Sequence, residues 1–230
     1  MKVYSSELEE LSRAAVSALI EGDISRAVEL LQQAAFQGHA DAQTRLASLY
    51  EVGEGVQADY EQAAFWYEKA AEQGYLPAVT FLAVLQMQGL GIAKDSEKSL
   101  SMMTFAANNG FAPAQFNLAV IYFNGNPVPI DYKTSKHWLE KAAAQNHTDA
   151  LALLGKHYVY GLGCEPDLEK GAYYLLQARL AGHVEAEYLL GHMYSKGRGV
   201  PQDKKAASEL RGGSGNLNTL DKWSFCLRAA

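Results

Sequence analysis

Glycine pairs recur in this sequence at Gly53/Gly55, Gly89/Gly91, Gly161/Gly163 and Gly197/Gly199. A Gly-x-Gly pair can cradle a phosphate, but a dinucleotide site needs a preceding strand and a third glycine at fixed spacing. Here helix-patterned sequence precedes each pair, so no phosphate site is expected. An aspartate closes each glycine loop, at Asp59, Asp95, Asp131, Asp167 and Asp203. Equivalents in stacked helices lie about 10 Å apart, too far for a carboxylate dyad, so these aspartates read as helix caps. Of the six histidines, His39, His147 and His183 share one column, and the same spacing argues against joint metal binding. His157 and His192 sit on neighbouring first helices and could approach each other. A pair of histidines without a carboxylate or thiolate is a poor zinc site, and a hydrolase reading would rest on these two alone. Cys164 occupies a column otherwise filled by Val56, Ile92, Val128 and Val200, which suits a small apolar group better than a nucleophile. Cys164 and Cys226 make no disulfide framework. No catalytic residue, metal or cofactor is expected.

The elements that position these residues repeat every 36 residues without insertion or deletion, in units 39–74, 75–110, 111–146, 147–182 and a partial 183–211. One column reads Ala42, Ala78, Ala114, Ala150, Ala186; four residues on come Leu46, Leu82, Leu118, Leu154, Leu190. The next position is always tiny (Ala47, Ala83, Ala119, Gly155, Gly191), and then come Tyr50, Gln86, Tyr122, Tyr158, Tyr194. Apolar residues at i, i+4, i+5 and i+8 mark one face of a helix. The tiny residue admits a neighbouring helix, and the glycines end the first helix. The aspartate starts a second helix by accepting from its orphan amides, and Asp59 with Gln62 fits a capping box. That helix buries Ala63, Trp66, Tyr67 and Ala70 and stops at a glycine, or at Asn146. One such pair cannot bury both faces, whereas stacked pairs share a continuous core.

The run Ala42-x-x-x-Leu46-Ala47-x-x-Tyr50-x-x-Gly53-x-Gly55-Val56-x-x-Asp59-Tyr60-x-x-Ala63-x-x-Trp66-Tyr67-x-Lys69-Ala70-Ala71-x-x-Gly74 resembles the Sel1-like repeat family, relatives of the tetratricopeptide repeats. The resemblance covers residues 23 to about 211. It implies an all-α, right-handed α/α superhelical solenoid in a single domain, and the role of a non-enzymatic adaptor or scaffold, common in bacteria. A toxin-neutralising immunity protein is the alternative that the resemblance suggests; a hydrolase ranks below it. Gln86, Met102/Met103 and Pro127 depart from the family pattern. The cysteines that staple helix pairs in a secreted branch of the family are missing here, so that branch's activities do not carry over.

Residues 5–38 read as an N-terminal cap and half repeat, with Leu8, Leu11, Ala15 and Leu19 as the stripe of the capping helix. Residues 212–230 read as a linker followed by a capping helix or docking tail with Leu217, Leu220, Trp223 and Leu227 on one side, although Gly-Gly-Ser-Gly also resembles an engineered linker.

First helices line the concave face of such a solenoid, and by analogy with tetratricopeptide grooves their non-core inward columns form the binding surface. In the first unit these columns hold Asp41, Thr44 and Ser48; in the middle of the chain they hold Val84, Met87, Phe116, Val120, Phe123, Val159 and Tyr160. An apolar strip with polar ends suits a partner peptide or helix. The expected site comprises Val84, Met87, Phe116, Val120, Phe123, Asn124, Lys156, Val159, Tyr160, Tyr188 and His192, with Lys156, His192 and Lys196 as a basic lip. The rival expectation is that the strip is buried within the protein itself.

The 230 residues are 48% apolar and 20% charged, with a formal charge of −6. The isoelectric point near 5.5 argues against a broad nucleic-acid surface. Residues 1–74 carry five basic and thirteen acidic side chains, net −8, whereas residues 75–230 are net +2. The acidic third is either a solvated face or a surface that steers a basic partner. No apolar run reaches the roughly 18 residues of a spanning helix. Met1 to Leu11 lacks a signal-peptide core, so a cytoplasmic protein is expected, or a periplasmic or secreted one if the chain is a mature form. The expected partner is a protein or peptide, and the sequence leaves the oligomeric state open.

Overall fold

The computed structural model describes residues 5–213. Within them the chain forms twelve α-helices and no strand. Two compact units divide it, residues 1–109 and 110–230. The first contains α1 (Ser6–Glu21), α2 (Ile24–Phe36), α3 (Ala40–Val52), α4 (Tyr60–Ala71), α5 (Leu76–Gln88) and α6 (Ser96–Asn108). The second contains α7 (Ala112–Asn124), α8 (Tyr132–Ala143), α9 (Thr148–Tyr160), α10 (Leu168–Leu180), α11 (Val184–Lys196) and α12 (Lys204–Gly213). In each unit the helices pack as consecutive hairpins, and each hairpin's second helix packs on the first helix of the next.

The expected punctuation is present. Each first helix ends on a left-handed glycine, from Gly22 to Gly197. Each second helix from α2 to α10 starts at an aspartate whose carboxylate accepts backbone amides. Asp59 Oδ1, for example, takes the amides of Glu61 and Gln62 at 2.9 and 3.0 Å. The amide of Asp59 itself is donated to the Tyr50 carbonyl at 2.8 Å, so the reciprocal half of the expected capping box is replaced by a tie to the preceding helix. The same bond recurs from Asp95 to Gln86, Asp131 to Tyr122, Asp167 to Tyr158 and Asp203 to Tyr194. It needs only a backbone carbonyl, which is why Gln86 substitutes for tyrosine without breaking it.

The second glycine of each pair has a packing role. A Cβ on Gly91 would overlap the carbonyl of Tyr60 and come within 2.5 Å of the Glu61 amide nitrogen. Gly163 meets the backbone of Tyr132 and Lys133 in the same way. These loops therefore rest on the start of the preceding second helix.

In the first unit Leu31, Leu46, Tyr67 and Leu85 are fully buried at the centre of the core. In the second unit Leu118, Leu139, Leu153, Leu154 and Leu175 take that place. The tiny column works as expected: a Cβ on Gly155 would lie 2.8 Å from Leu175 Cγ and 3.1 Å from the Gly171 carbonyl oxygen. Residues 1–4 and 214–230, including the stripe Leu217, Leu220, Trp223 and Leu227, lie outside the described residues.

Candidate functional site

The histidine column proves to be a set of helix caps. Nδ1 of His39, His147 and His183 accepts the amides of Ala42, Ala150 and Ala186, at 3.2, 3.4 and 3.2 Å. A ring nitrogen that accepts an N–H carries no proton, so these rings are neutral in this geometry. Burial pushes His147 and His183 below the ordinary imidazole value, against the pull of Asp149. In two of them the other ring nitrogen reaches an acid on an earlier helix, His39 Nε2 to Glu9 at 3.7 Å and His183 Nε2 to Asp149 at 3.5 Å. The Asp149–His183 contact fixes the starts of α9 and α11 beside each other.

His157 is fully buried. Its Nδ1 lies 2.9 Å from the Leu162 carbonyl and its Nε2 3.4 Å from Ser135 Oγ. A carbonyl only accepts, so Nδ1 holds the proton and the Ser135 hydroxyl donates to Nε2. The geometry resembles a serine–histidine nucleophile pair, but both side chains are fully enclosed, and no substrate reaches the hydroxyl. Burial also holds His157 below the usual imidazole range. His157 is thus committed to Ser135 and Leu162 and is not aimed at His192. Among the described residues no three His, Cys, Asp or Glu side chains cluster as metal ligands.

At five of the expected groove positions the structure follows the rival expectation of a strip buried within the protein. Val84, Met87, Phe116, Val120 and Val159 are buried, none more than 9% exposed. Phe116 stacks on the His147 ring with centroids 4.9 Å apart, and Val159 packs where a Cβ on Gly171 would be. In the first unit the same columns hold Thr44, which is buried, Ser48, which is exposed, and Glu51, which is half-buried. Phe116 is covered by the start of the next hairpin, and Val159 by the second helix of its own.

The remaining predicted residues stay accessible to different degrees. Phe123 is half-buried, its ring against Tyr132 at 5.5 Å and His157 at 5.7 Å. Asn124 is exposed, and Lys156 and His192 are half-buried. Desolvation lowers the Lys156 ammonium from its usual range while Glu185 opposes the shift. Tyr160 and Tyr188 are 60% and 48% exposed. The second unit's first helices therefore display a surface of tyrosines and polar groups in place of the expected apolar strip.

Sequence reasoning missed a cluster beside it. A cavity of about 720 Å³ is lined by Lys136, Tyr158, Cys164, Asp167 and Lys170 among others. Lys136 Nζ binds Glu140 at 2.8 Å, and the Tyr158 hydroxyl donates to the same carboxylate oxygen at 3.1 Å. That hydrogen bond raises the Lys136 ammonium above its ordinary value. Tyr158 and Tyr174 stack 5.6 Å apart, with Lys136 and Lys170 flanking the Tyr158 ring. Cys164 is half-buried rather than enclosed, and its thiol points to the His157 and Leu162 carbonyls. Both lysines are paired, Lys136 with Glu140 and Lys170 with Asp167 at 3.3 Å, which favours a structural role. The signal in the sequence was the i, i+4 spacing of Lys136 and Glu140.

The Sel1 repeat family pattern matches six segments, 17–39, 40–75, 76–111, 112–147, 148–183 and 184–209. No match was found among curated proteins. Several solved structures are similar. A Sel1 repeat protein from Oxalobacter formigenes is 30% identical, with 89% of this chain and 86% of that one covered and a TM-score of 0.83. The protective antigen c5321 of uropathogenic Escherichia coli, which displays an SLR fold, is 31% identical with a TM-score of 0.76; the match covers 93% of this chain and 48% of c5321. The immunity protein Pa5087 from Pseudomonas aeruginosa shares the fold at 19% identity and a TM-score of 0.63, over 92% of this chain and 82% of that one. Six consecutive family matches and the hairpin repeat itself make this chain a member of the Sel1 repeat family, an all-α solenoid repeat protein.

Proposed function

We propose that the protein is a non-enzymatic scaffold that binds a peptide or helix of a partner protein along the first helices of its second unit. Sel1 repeat proteins are in general protein-interaction scaffolds, and the local reading is carried by one observation. Tyr160 and Tyr188 project into solvent from α9 and α11. Their columns hold Val52, Gln88, Asn124 and Lys196, or Thr44, Thr80, Phe116 and Ala152, in other repeats. Hairpin stacking does not call for an exposed aromatic ring there. Tyrosine offers large contact area and a hydroxyl at low cost in rotamer entropy, and it is enriched where partners dock. Asn124, Lys156 and His192 supply polar groups around it, and Lys156 suits a partner carboxylate.

The test is affinity capture of partners from native lysate by the full chain and by the Tyr160→Ala/Tyr188→Ala variant. A partner retained by the first and lost by the second, with both forms equally helical, supports the reading. A partner held equally by both, or none held by either, sinks it.

A further inference from the structure

The first unit carries an aromatic surface that its fold does not need. Phe36, at the end of α2, is 77% exposed, and Phe65 on α4 is 45% exposed. Both rings stand edge-on to Trp66, each with centroids 5.1 Å from it and interplanar angles of 83° and 79°. Trp66 is itself buried beneath them. Repeat stacking explains Trp66, whose column holds Leu30, Met102, Trp138 and Tyr174. It does not explain the two phenylalanines. The Phe36 column otherwise holds Glu72, Asn108, Ala144 and Leu180, and the Phe65 column Glu29, Ser101, His137 and Tyr173.

Acidic groups surround the rings. Glu61, Glu68 and Glu72 lie four before, three after and seven after Phe65, and so share its helix face, all exposed. Glu29 is exposed two turns before Phe36. The cation of this face, Lys69, lies 5.8 Å from the Phe65 ring and is paired with both carboxylate oxygens of Glu72, at 3.1 and 3.2 Å. The stretch 1–74 has a net charge of −8.

We propose that Phe36, Phe65 and Trp66 form a docking surface for a basic amphipathic segment of a partner protein. The two exposed rings accept an apolar anchor, and Glu29, Glu61 and Glu68 meet flanking lysines or arginines. Charge complementarity selects this occupant. A neutral or acidic segment would leave the carboxylates unmatched, and a second copy docked by the same face would set its own Glu29, Glu61 and Glu68 against them. The proposal uses only residues of the first unit and stands or falls without Tyr160 and Tyr188.

The test selects a random peptide library displayed on phage against the full-length chain. Synthetic copies of the recovered peptides are then titrated by fluorescence anisotropy. The expected result is peptides with an aromatic or leucine anchor flanked by Lys or Arg. Their affinity should fall about thirtyfold for Phe36→Ser, the loss typical of a truncated aromatic hot spot. It should also fall for Glu61→Lys/Glu68→Lys, and be unchanged for Tyr160→Ala/Tyr188→Ala. Phe36→Ser leaves the charge intact and alters an exposed side chain, so the variant remains folded and separates docking from general attraction to an acidic protein. The proposal is overturned if no peptide is recovered, if the peptides lack basic residues, or if Phe36→Ser binds them as well as the native chain. Self-association in sedimentation that disappears in Phe36→Ser would assign the surface to a second copy and overturn it too.

Discussion

The Tyr75 hydroxyl donates to Asp41 Oδ1 at 2.9 Å, joining the cap of α5 to the first turn of α3. The other oxygen of Asp41 takes Arg45 Nε at 2.7 Å and the Ser12 hydroxyl at 3.5 Å. Asp149 and His183 occupy the same two columns in the second unit. A side chain two residues into one first helix thus ties down the cap of the next. Tyr75→Phe removes the tie and leaves the ring in place. It should destabilise the chain by about 1 kcal/mol in urea unfolding, the usual net value of one hydrogen bond. An unchanged midpoint would show that Arg45 and Ser12 suffice.

Gly91 and Gly74 both have positive φ, 64° and 75°, but differ in their surroundings. Nothing lies within 4 Å of a Cβ added to Gly74, whereas one on Gly91 overlaps the Tyr60 backbone. Gly74→Ala should therefore cost about 1 kcal/mol, the left-handed strain alone. Gly91→Ala should cost about 3 kcal/mol or more, because backbone cannot rotate aside as a side chain does. Equal melting temperatures for the two variants would refute the close-approach account of the second glycine.

The hairpins were legible because their signals are local and recur. Asp59, Asp95 and their equivalents cap the helix that follows them within three residues, and Gly53 and Gly89 end the helix just before them. Burial of the groove columns was not legible. Whether Phe116 or Val159 faces water depends on how closely another helix packs on it, the start of the next hairpin through His147 for the one and the second helix of the same hairpin through Gly171 for the other. Those contacts join residues 12 or more apart in sequence, beyond the reach of the helix-face pattern that revealed the hairpins. Tyr160 and Tyr188 stay exposed in columns of the same type, so residue type alone did not separate surface from core. The histidine caps were within reach: Nδ1 can accept an amide as an aspartate does, and the column stood at the first helix start.

Phe116 and Tyr160 should now behave oppositely on truncation. Phe116 is 2% exposed and stacked on His147, so Phe116→Ala opens a cavity and should cost about 3 kcal/mol or more. Tyr160→Ala removes a ring that stands mostly in water and should change stability by about 0.5 kcal/mol at most. Paired denaturant titrations measure both. Near-native stability in Phe116→Ala would return that residue to the surface.

Acidification should loosen the protein through His147, His157 and His183. Burial holds all three below the ordinary imidazole value of 6.5. The unfolded chain therefore takes up protons first as pH falls through that value, and the folded chain does so only at lower pH. Stability supplied by the neutral rings is full above 6.5 and declines below it, until the folded-state rings protonate as well. For His147 and His183 the geometry adds its own penalty. A proton on Nδ1 would face the amide of Ala150 or Ala186 at the positive end of a helix. Urea midpoints taken from neutral pH down to about pH 5 should fall steadily, well above the range where carboxylates titrate. The fall should be smaller in His183→Asn, since asparagine caps a helix without titrating. A midpoint that stays flat across this interval, or falls equally in His183→Asn, would mean that the capping histidines do not govern the acid response.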